Sequence, residues 1–354
     1  MSTVANISTW TEPALLAAAG NGDEAAFEQL VEPRRSELHA HCYRMLGSVQ
    51  DAEDAMQEVL LRAWRGLAGF EGRSSLRSWL YRIATNVCLS AIDKRPKRVH
   101  RVLPLDYGPA SDPHGAFPEP VTEAVWIEPY PDEALGLEDG RAAPDARYEQ
   151  REGVELAFVA ALQHLPGNQR AALVLREVLG FSAGEVAESM DMTTASVNSA
   201  LQRARKLVDE RLPERSQQAT LRSLGDERLR QIAQSYSDAL ESGDVESVLT
   251  LLGEDATWSM PPTPAWYRGR EALSTFLAEG PLTLRWRHLP ARANGQLAIG
   301  CYSWSEERDL FEARVLDVLT LAEDGRITAV TAFIDADIFA AFGLPGELAG
   351  AERR

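Results

Sequence analysis

The chain has little cysteine, no long apolar run and no excess of positive charge. Its three cysteines, Cys42, Cys88 and Cys301, are odd in number and widely spaced along 354 residues. That spacing excludes a disulfide framework and fits a reducing compartment, the cytoplasm. No stretch of about eighteen apolar residues occurs, and no basic patch followed by an apolar core opens the chain, so neither membrane insertion nor secretion is expected. Glycine-rich phosphate loops and nucleophile elbows are also missing, and no cofactor is expected. His39-Ala40-His41-Cys42 has metal-ligand residue types. Adjacent helical positions diverge, however, so no metal site is expected there and Cys42 reads as a small core residue.

A net charge of −17 argues at first against nucleic acid. The total hides a pattern. From Arg62 to Arg98 there are nine Lys or Arg against two acids, a local excess of +7, whereas Val99 to Gln150 carries three Arg against eleven acids, −8. A basic block beside an acidic one is a directed arrangement. The length suits two or three domains with proper cores. Residues 12–98 read as a helix-rich block, 99–150 as an acidic Pro/Gly-rich linker with little fixed structure, and 151–215 as helical again. From 225 to 345 the texture changes. A helix over 226–241 precedes alternating strands with a hairpin signal at Asp324-Gly325, and four of the eight tryptophans fall here.

Residues 181–212 predict a helix-turn-helix. Ser182 with Glu185 forms a capping box, and Val186, Ala187 and Met190 line one side of the helix that follows. After a break at 191–193, Thr193 or Thr194 caps a second helix, in which Val197, Leu201, Ala204 and Val208 make one buried stripe. Asn198, Ser199, Gln202 and Lys206 lie opposite, flanked by Arg203 and Arg205. Short amides and hydroxyls read base edges in a major groove while the cations neutralise phosphates. A helical hairpin inside a bundle is the competing reading.

Between Asp51 and Leu67, Ala52, Ala55, Met56, Val59, Leu60, Ala63, Trp64 and Leu67 form a continuous apolar face. The other face carries Asp54, Gln57, Glu58, Leu61 and Arg65, either a partner-binding stripe or a solvated face with one stray leucine. The next helix, 76–92, buries Leu76, Trp79, Leu80, Ile83, Ala84, Val87 and Cys88. Its polar side offers Ser78, Tyr81, Arg82, Thr85 and Asn86 and runs into Lys94, Arg95, Lys97 and Arg98. Such a surface stacks bases and holds phosphates, and the polar loop 69–75 suits an unstacked base. A solvated face with a basic C-terminal turn favoured by the helix dipole accounts for the same residues.

Taken together these segments resemble the extracytoplasmic-function sigma factors, small promoter-recognition subunits of bacterial RNA polymerase. DAEDAMQEVLLRAW is similar to their region 2 helix that binds the polymerase clamp, FEGRSSLRSWLYRIATNVCLSAIDKRPKR to the part that reads the −10 element, and LPGNQRAALVLREVLGFSAGEVAESMDMTTASVNSALQRARKLV to region 4, which reads the −35 element. The resemblance implies core RNA polymerase and promoter DNA as partners. It places Asp51, Asp54, Gln57, Glu58 and Leu61 at the clamp, and Phe70, Arg73, Tyr81, Arg82 and Asn86 at the melted −10 strand, with Lys94, Arg95, Lys97 and Arg98 on nearby phosphates. Thr194, Asn198, Ser199, Gln202 and Arg203 would lie at the −35 groove. The roughly fifty linker residues span up to about 170 Å against about 60 Å between the two elements, enough slack for a detour through polymerase. Trp126 to Asp132 is its one aromatic, proline-stiffened island, expected to dock locally.

Beyond region 4, the segments SGDVESVLTLLGEDATWSMPP, YRGREALSTFL and VLDVLTLAEDGRITAVTAFID resemble SnoaL-like domains. The expected fold is therefore multidomain: two all-α sigma domains (a region 2 helical bundle and a region 4 helix-turn-helix) plus an α+β nuclear transport factor 2-like cone, as in the SigG-type group. Trp258, Tyr267, Trp286, His288 and Trp304 are its candidate pocket. His288, Asp317, Asp335 and Asp337, with Phe333 as a further wall, are what a cyclase or isomerase would have to use. No dyad emerges from spacing, so the expected role is not enzymatic. It is that of a fused regulator with a small-molecule ligand or a contact inside the chain. The alternatives are a bifunctional enzyme and a DNA-binding regulator that never engages polymerase.

Overall fold

A computed structural model of the chain describes residues 10–95, 100–121, 125–135 and 151–350. They divide into two compact units, one holding the chain up to Lys97 with Leu165–Leu207, the other Arg98–Glu133, the segment ending at His164, and everything from Val208 on. Among the described residues no helix is long and apolar enough to cross a membrane.

The first unit is all helical: α1 (Glu12–Gly20), α2 (Glu24–Val31), α3 (Arg35–Leu46), α4 (Val49–Gly66) and α5 (Leu76–Lys94). Side-chain caps set the starts. Asp23 accepts from the Ala26 N–H at 3.0 Å, Ser48 from Asp51 at 3.0 Å and Ser75 from Ser78 at 3.0 Å. Gly47, at φ 71°, ends α3 in the left-handed conformation that only glycine adopts without penalty. α4 buries Ala52, Ala55, Met56, Val59 and Ala63, five positions of its expected face, and Trp64 meets Phe27 edge-on at 5.2 Å. His41 and Cys42 are core residues: His41 Nε2 lies 3.0 Å from Thr85 Oγ1, and burial drops its pKa to about 3.

Leaving out α6 (Pro104–Tyr107) and α7 (Leu156–Gln163), which belong to the second unit, the first unit continues with α8 (Gly167–Leu173), α9 (Ala183–Ser189) and all but the last two residues of α10 (Thr194–Asp209). The capping box forms as expected: Glu185 N–H donates to Ser182 Oγ at 3.2 Å, and Ser182 N–H to Glu185 Oε2 at 2.8 Å. Asp191 at φ 53° turns the chain, and Thr193 caps α10 by accepting from Ser196 N–H at 3.1 Å. Val197, Leu201, Ala204 and Val208 are all buried. Buried Arg170 donates to the carbonyls of Met45 and, at 3.2 Å, Leu165, and desolvation lowers its pKa to about 9.

The second unit carries α11 (Gln217–Ser242), broken at Gly225 (φ 75°), then α12 (Val245–Leu251) and α13 (Arg270–Glu279). Seven strands follow the order β2-β1-β6-β5-β4-β3, with β7 beside β5: β1 (Leu252–Ser259), β2 (Trp266–Arg268), β3 (Trp286–Ala293), β4 (Gln296–Ser305), β5 (Leu310–Leu321), β6 (Ile327–Phe333) and β7 (Glu347–Ala349). Only β1 and β6 run parallel among these pairs. The Asp324-Gly325 hairpin joins β5 to β6 as expected, with Arg326 N–H donating to Asp324 Oδ1 at 2.9 Å. Helices and sheet enclose one aromatic-rich core that includes Tyr236, Trp258, Tyr267, Phe276 and Trp286.

The described part of the acidic segment is folded, which corrects the expectation of little fixed structure. Ser111 N–H donates to Trp266 O at 2.8 Å, Val121 N–H to Pro262 O at 2.9 Å, and Trp266 Nε1–H to Gly108 O at 2.9 Å. Trp126, Ile127 and Tyr130 are buried, and Pro131 bridges Ala293 at the open edge of β3. The aromatic island therefore docks, and its dock is the cone of the same chain. Pro131 and Tyr130 occupy the edge of β3 and its turn, which would otherwise offer unpaired backbone groups.

Candidate nucleic-acid interface

Four of the five clamp-facing candidates share one side of α4. Asp54, Gln57 and Leu61 are exposed and Glu58 is half-buried, at spacings of three and four residues that put them in one stripe. Leu61 is 43% exposed, one of six large apolar side chains so placed among the described residues, while Glu58 binds Arg62 at 2.6 Å. Asp51 sits one turn earlier, partly buried, and is ion-paired with Arg95. The pair ties the start of α4 to the end of α5, so Arg95 is engaged within the protein rather than presented to phosphate.

The −10 candidates divide. Arg73, Arg82, Asn86 and Lys94 are exposed, with Arg73 paired to Glu71; Phe70 is half-buried and packs on Trp79 at 5.1 Å. Tyr81 is not on the polar surface. It is 1% exposed, donates to Glu37 Oε2 at 3.3 Å and stands edge-on to Phe181 at 5.4 Å. Burial and the Glu37 carboxylate raise its pKa far above the ordinary phenol range. Thr85, assigned to the same polar side, is likewise buried. The cause is that α5 is covered by α3 and α4 and also by the α8–α9 segment, so one helical period cannot separate inside from outside. Lys97 and Arg98 lie outside the described residues.

Arg77, which the sequence reading passed over, occupies the junction. Its guanidinium lies 4.5 Å from the Phe181 ring centroid and 5.1 Å from that of Tyr81, and it donates to Leu179 O at 3.1 Å. Beside it a cleft of about 230 Å³ is lined by Arg73, Ser78 and Arg82 on one wall and by Glu185 and Glu188 on the other. In this state carboxylates of α9 face cations expected to meet DNA.

The −35 candidates come together without exception. Thr194, Asn198, Ser199, Gln202 and Arg203 are all exposed on α10. Their spacing gives a polar strip whose reverse is the buried stripe. Arg205 reaches Glu177 at 2.5 Å, steadying the helix from its flank.

In the cone, Trp258, Tyr267, Trp286 and His288 line a common cavity with Asp317, but Trp304 does not. Along β4 faces alternate, so Cys301 faces the cavity while Trp304 turns away to pack on Phe311 at 5.0 Å under Arg285. Asp335 and Asp337 are exposed. Asn294 and Gly295, the β3–β4 turn, were missed although Asn-Gly between two strands is the strongest short hairpin signal.

Three family models match: Sigma-70 region 2 over residues 30–98, Sigma-70 region 4 over 155–208 and the SnoaL-like domain over 233–330. The ECF RNA polymerase sigma factor SigG of Mycobacterium tuberculosis is 42% identical over 337 residues, covering 91% of this chain and 85% of its own. SigW of Bacillus subtilis is 29% identical over 54% of this chain and 91% of its own. The crystal structure of the Mycobacterium tuberculosis extracytoplasmic function sigma factor SigJ shares the fold at a TM-score of 0.56 and 20% identity, covering 90% of this chain and 99% of that one. With region 2, region 4 and the cone in this order, the chain belongs to the extracytoplasmic-function RNA polymerase sigma factors that carry a SnoaL-like domain after region 4.

Proposed function

We propose that the chain binds core RNA polymerase and directs it to a promoter class, with α4 docking on polymerase, α5 and the loop before it capturing the melted −10 strand, and α10 reading the −35 groove. The observation that carries this reading is α10: five base- or phosphate-capable side chains are exposed together on a helix whose opposite stripe is buried. Leu61 amid Asp54, Gln57 and Glu58 supports the polymerase contact, because an exposed leucine among amides and carboxylates suits a partner helix.

The cone acts in this scheme as a regulator of the sigma part and not as an independent catalyst. What supports this is that Gly108, Ser111, Val121 and Tyr130, from the chain that joins the two sigma regions in sequence, are fastened to the cone. A domain that holds the tether between two DNA-binding regions has a direct mechanical route to promoter choice. Core-dependent run-off transcription tests both parts. Full-length protein should give promoter-specific transcripts, and shortening the chain after Arg215 should change their yield or their promoter preference. Failure to bind core polymerase would overturn the first part, and unchanged output after truncation the second.

A further inference from the structure

The cone holds a half-open cavity of about 580 Å³, a volume that accommodates a small organic molecule. Its walls are largely apolar, with Trp258, Tyr267, Phe276 and Trp286 supplying aromatic surface. Two polar groups among its lining residues lack a partner. Asp317 Oδ2 accepts from Tyr236 OH at 2.8 Å and from Cys301 Sγ at 3.3 Å, whereas Asp317 Oδ1 is buried with nothing bonded to it. His288, its side chain 1% exposed, sets Nδ1 3.3 Å from Glu241 Oε1 and leaves Nε2 buried and unbonded. A buried polar atom without a partner is costly, so two at one cavity call for an explanation.

Their chemistry is the same. Burial lowers His288 to about 4 against the opposing pull of Glu241, so the ring is neutral, and its Nδ1–H donates to the Glu241 carboxylate, which can only accept. Nε2 is therefore a bare acceptor. Burial raises Asp317 to about 6 despite hydrogen bonds from Tyr236 and Cys301, so near neutral pH its free oxygen also accepts. Burial and the adjacent carboxylate keep Tyr236 and Cys301 protonated and turned to Oδ2. An apolar space with two acceptors and no free donor among these groups selects a molecule that brings donors.

The cover comes from elsewhere in the chain. Pro113, Gly115, Phe117 and Pro120, from the segment that joins the two sigma regions, line the same cavity. Phe117 keeps 51% of its surface exposed there, and the stretch is tied down on either side, at Ser111 and Val121.

We propose that the cone binds a largely apolar, uncharged small molecule bearing hydroxyl or N–H donors, held at Asp317 and His288, and that residues 113–120 close over it. Resting on the regulatory reading of the cone given above, this makes the bound molecule a fastener of the tether between the two promoter-binding regions.

The test compares 2-naphthol with 2-methoxynaphthalene, which has the same rings and no donor, by calorimetric titration of the full-length protein. 2-Naphthol should bind at least about tenfold more tightly, the preference that a retained donor gives over a methylated one. Asp317→Asn turns an amide N–H toward the cavity while its oxygen still accepts from Tyr236, and should cut the preference below about threefold. His288→Phe removes the second acceptor with little change of shape and should do the same, so it decides the matter if the first variant does not fold. Amide exchange at Ser111 and Val121 should slow on adding 2-naphthol. Equal binding of the two compounds, binding of neither, or a preference untouched in both folded variants would overturn the site; unchanged exchange would overturn the closure. None of these readouts involves polymerase. A protein that passes them while transcription ignores the cone retains the binding site and loses the regulatory reading.

Discussion

Tyr130 and Asn294 hold each other in both directions: Tyr130 N–H donates to Asn294 Oδ1 at 2.9 Å, and Asn294 N–H donates to Tyr130 O at 2.8 Å. The same side chain donates from Nδ2 to Val154 O at 2.7 Å, and the next two residues continue the pattern. Gly295 N–H donates to Asp132 Oδ1 at 2.7 Å, and Gln296 Oε1 accepts from Leu156 N–H at 3.0 Å. One β-turn thus grips the chain on either side of residues 136–150. Asn294→Ala removes two buried hydrogen bonds and leaves a side chain at φ 55°, a loss of about 2–4 kcal/mol at this attachment. Asn294→Gly relieves the backbone while still losing both bonds, and should fall between. Amide exchange at Tyr130 should accelerate in the order Asn, Gly, Ala; equal rates in all three would show that the grip lies elsewhere.

The stacking of Arg77 on Phe181 predicts a closed state of the first unit. Tyr81 and Arg77 are sequestered by residues of the region 4 segment, and Glu185 and Glu188 face Arg73 and Arg82. A cation over an aromatic ring is worth about 0.5–2 kcal/mol according to its desolvation. Phe181→Leu keeps apolar volume and removes the ring. Binding of a single-stranded −10 oligonucleotide by the free protein should then strengthen by about three- to tenfold, read by fluorescence anisotropy. An unchanged affinity would mean that this contact does not limit access.

For α4 the expectation is a split between two assays. Leu61→Glu, or Asp54→Ala with Gln57→Ala, alters exposed positions, so thermal stability should move by no more than about 0.5 kcal/mol. Core-dependent transcription should fall by about tenfold or more, since truncating a central interface residue costs about 2 kcal/mol. Binding of the isolated protein to −35 duplex should stay as it was. A parallel loss in both assays would assign the stripe to folding.

On α10, base-reading and phosphate-holding residues should behave differently. Asn198→Ala or Gln202→Ala should cost about 1–3 kcal/mol on the preferred −35 duplex and much less on scrambled DNA. Lys206→Ala should weaken both duplexes alike and lower the salt slope by about one. Filter binding at several salt concentrations separates the two patterns.

What was legible in the sequence follows the range of the forces involved. Helix starts were readable because a cap is a contact over three residues, as at Ser182 and Glu185. The buried stripes of α4 and α10 were readable because each helix meets its core along one side. Tyr81 and Thr85 were placed outward because their cover is distant in sequence: Phe181 is one hundred residues from Tyr81, and His41 forty-four from Thr85. Trp304 needed only the two-residue alternation along β4, applied from Cys301, to be turned out of the cavity. The acidic segment misled through composition. Its prolines and carboxylates describe a solvated chain, but Tyr130, Pro131 and Asp132 anchor it at the edge of β3 and the β3–β4 turn, next to buried Trp126 and Ile127.

Two buried carboxylates of the second unit should each cost it stability as pH rises through neutrality. Asp317 is raised from an ordinary 3.8 to about 6 by burial. The folded state therefore holds this proton more tightly than the unfolded chain does. Stability from this source is complete below about pH 4 and is lost as pH climbs through 6, by up to about 3 kcal/mol for a shift of this size. Glu155 acts with the same sign. Burial lifts it to about 7 even though it accepts from the N–H groups of Gln217 at 3.1 Å and Gln218 at 2.7 Å. Tyr236 and Cys301, raised by burial and by Asp317, stay protonated throughout and add no slope here. His288 acts with the opposite sign up to about pH 6.5, because burial lowers it to about 4 in the folded state. The carboxylates are therefore read from variants, by thermal unfolding followed by tryptophan emission between pH 5 and pH 8. Asp317→Asn should make the midpoint fall less, or rise more, with pH than in the parent protein, and Glu155→Gln should add to that change. A pH dependence that neither variant alters would mean that both carboxylates are ionised in the folded protein at all these pH values.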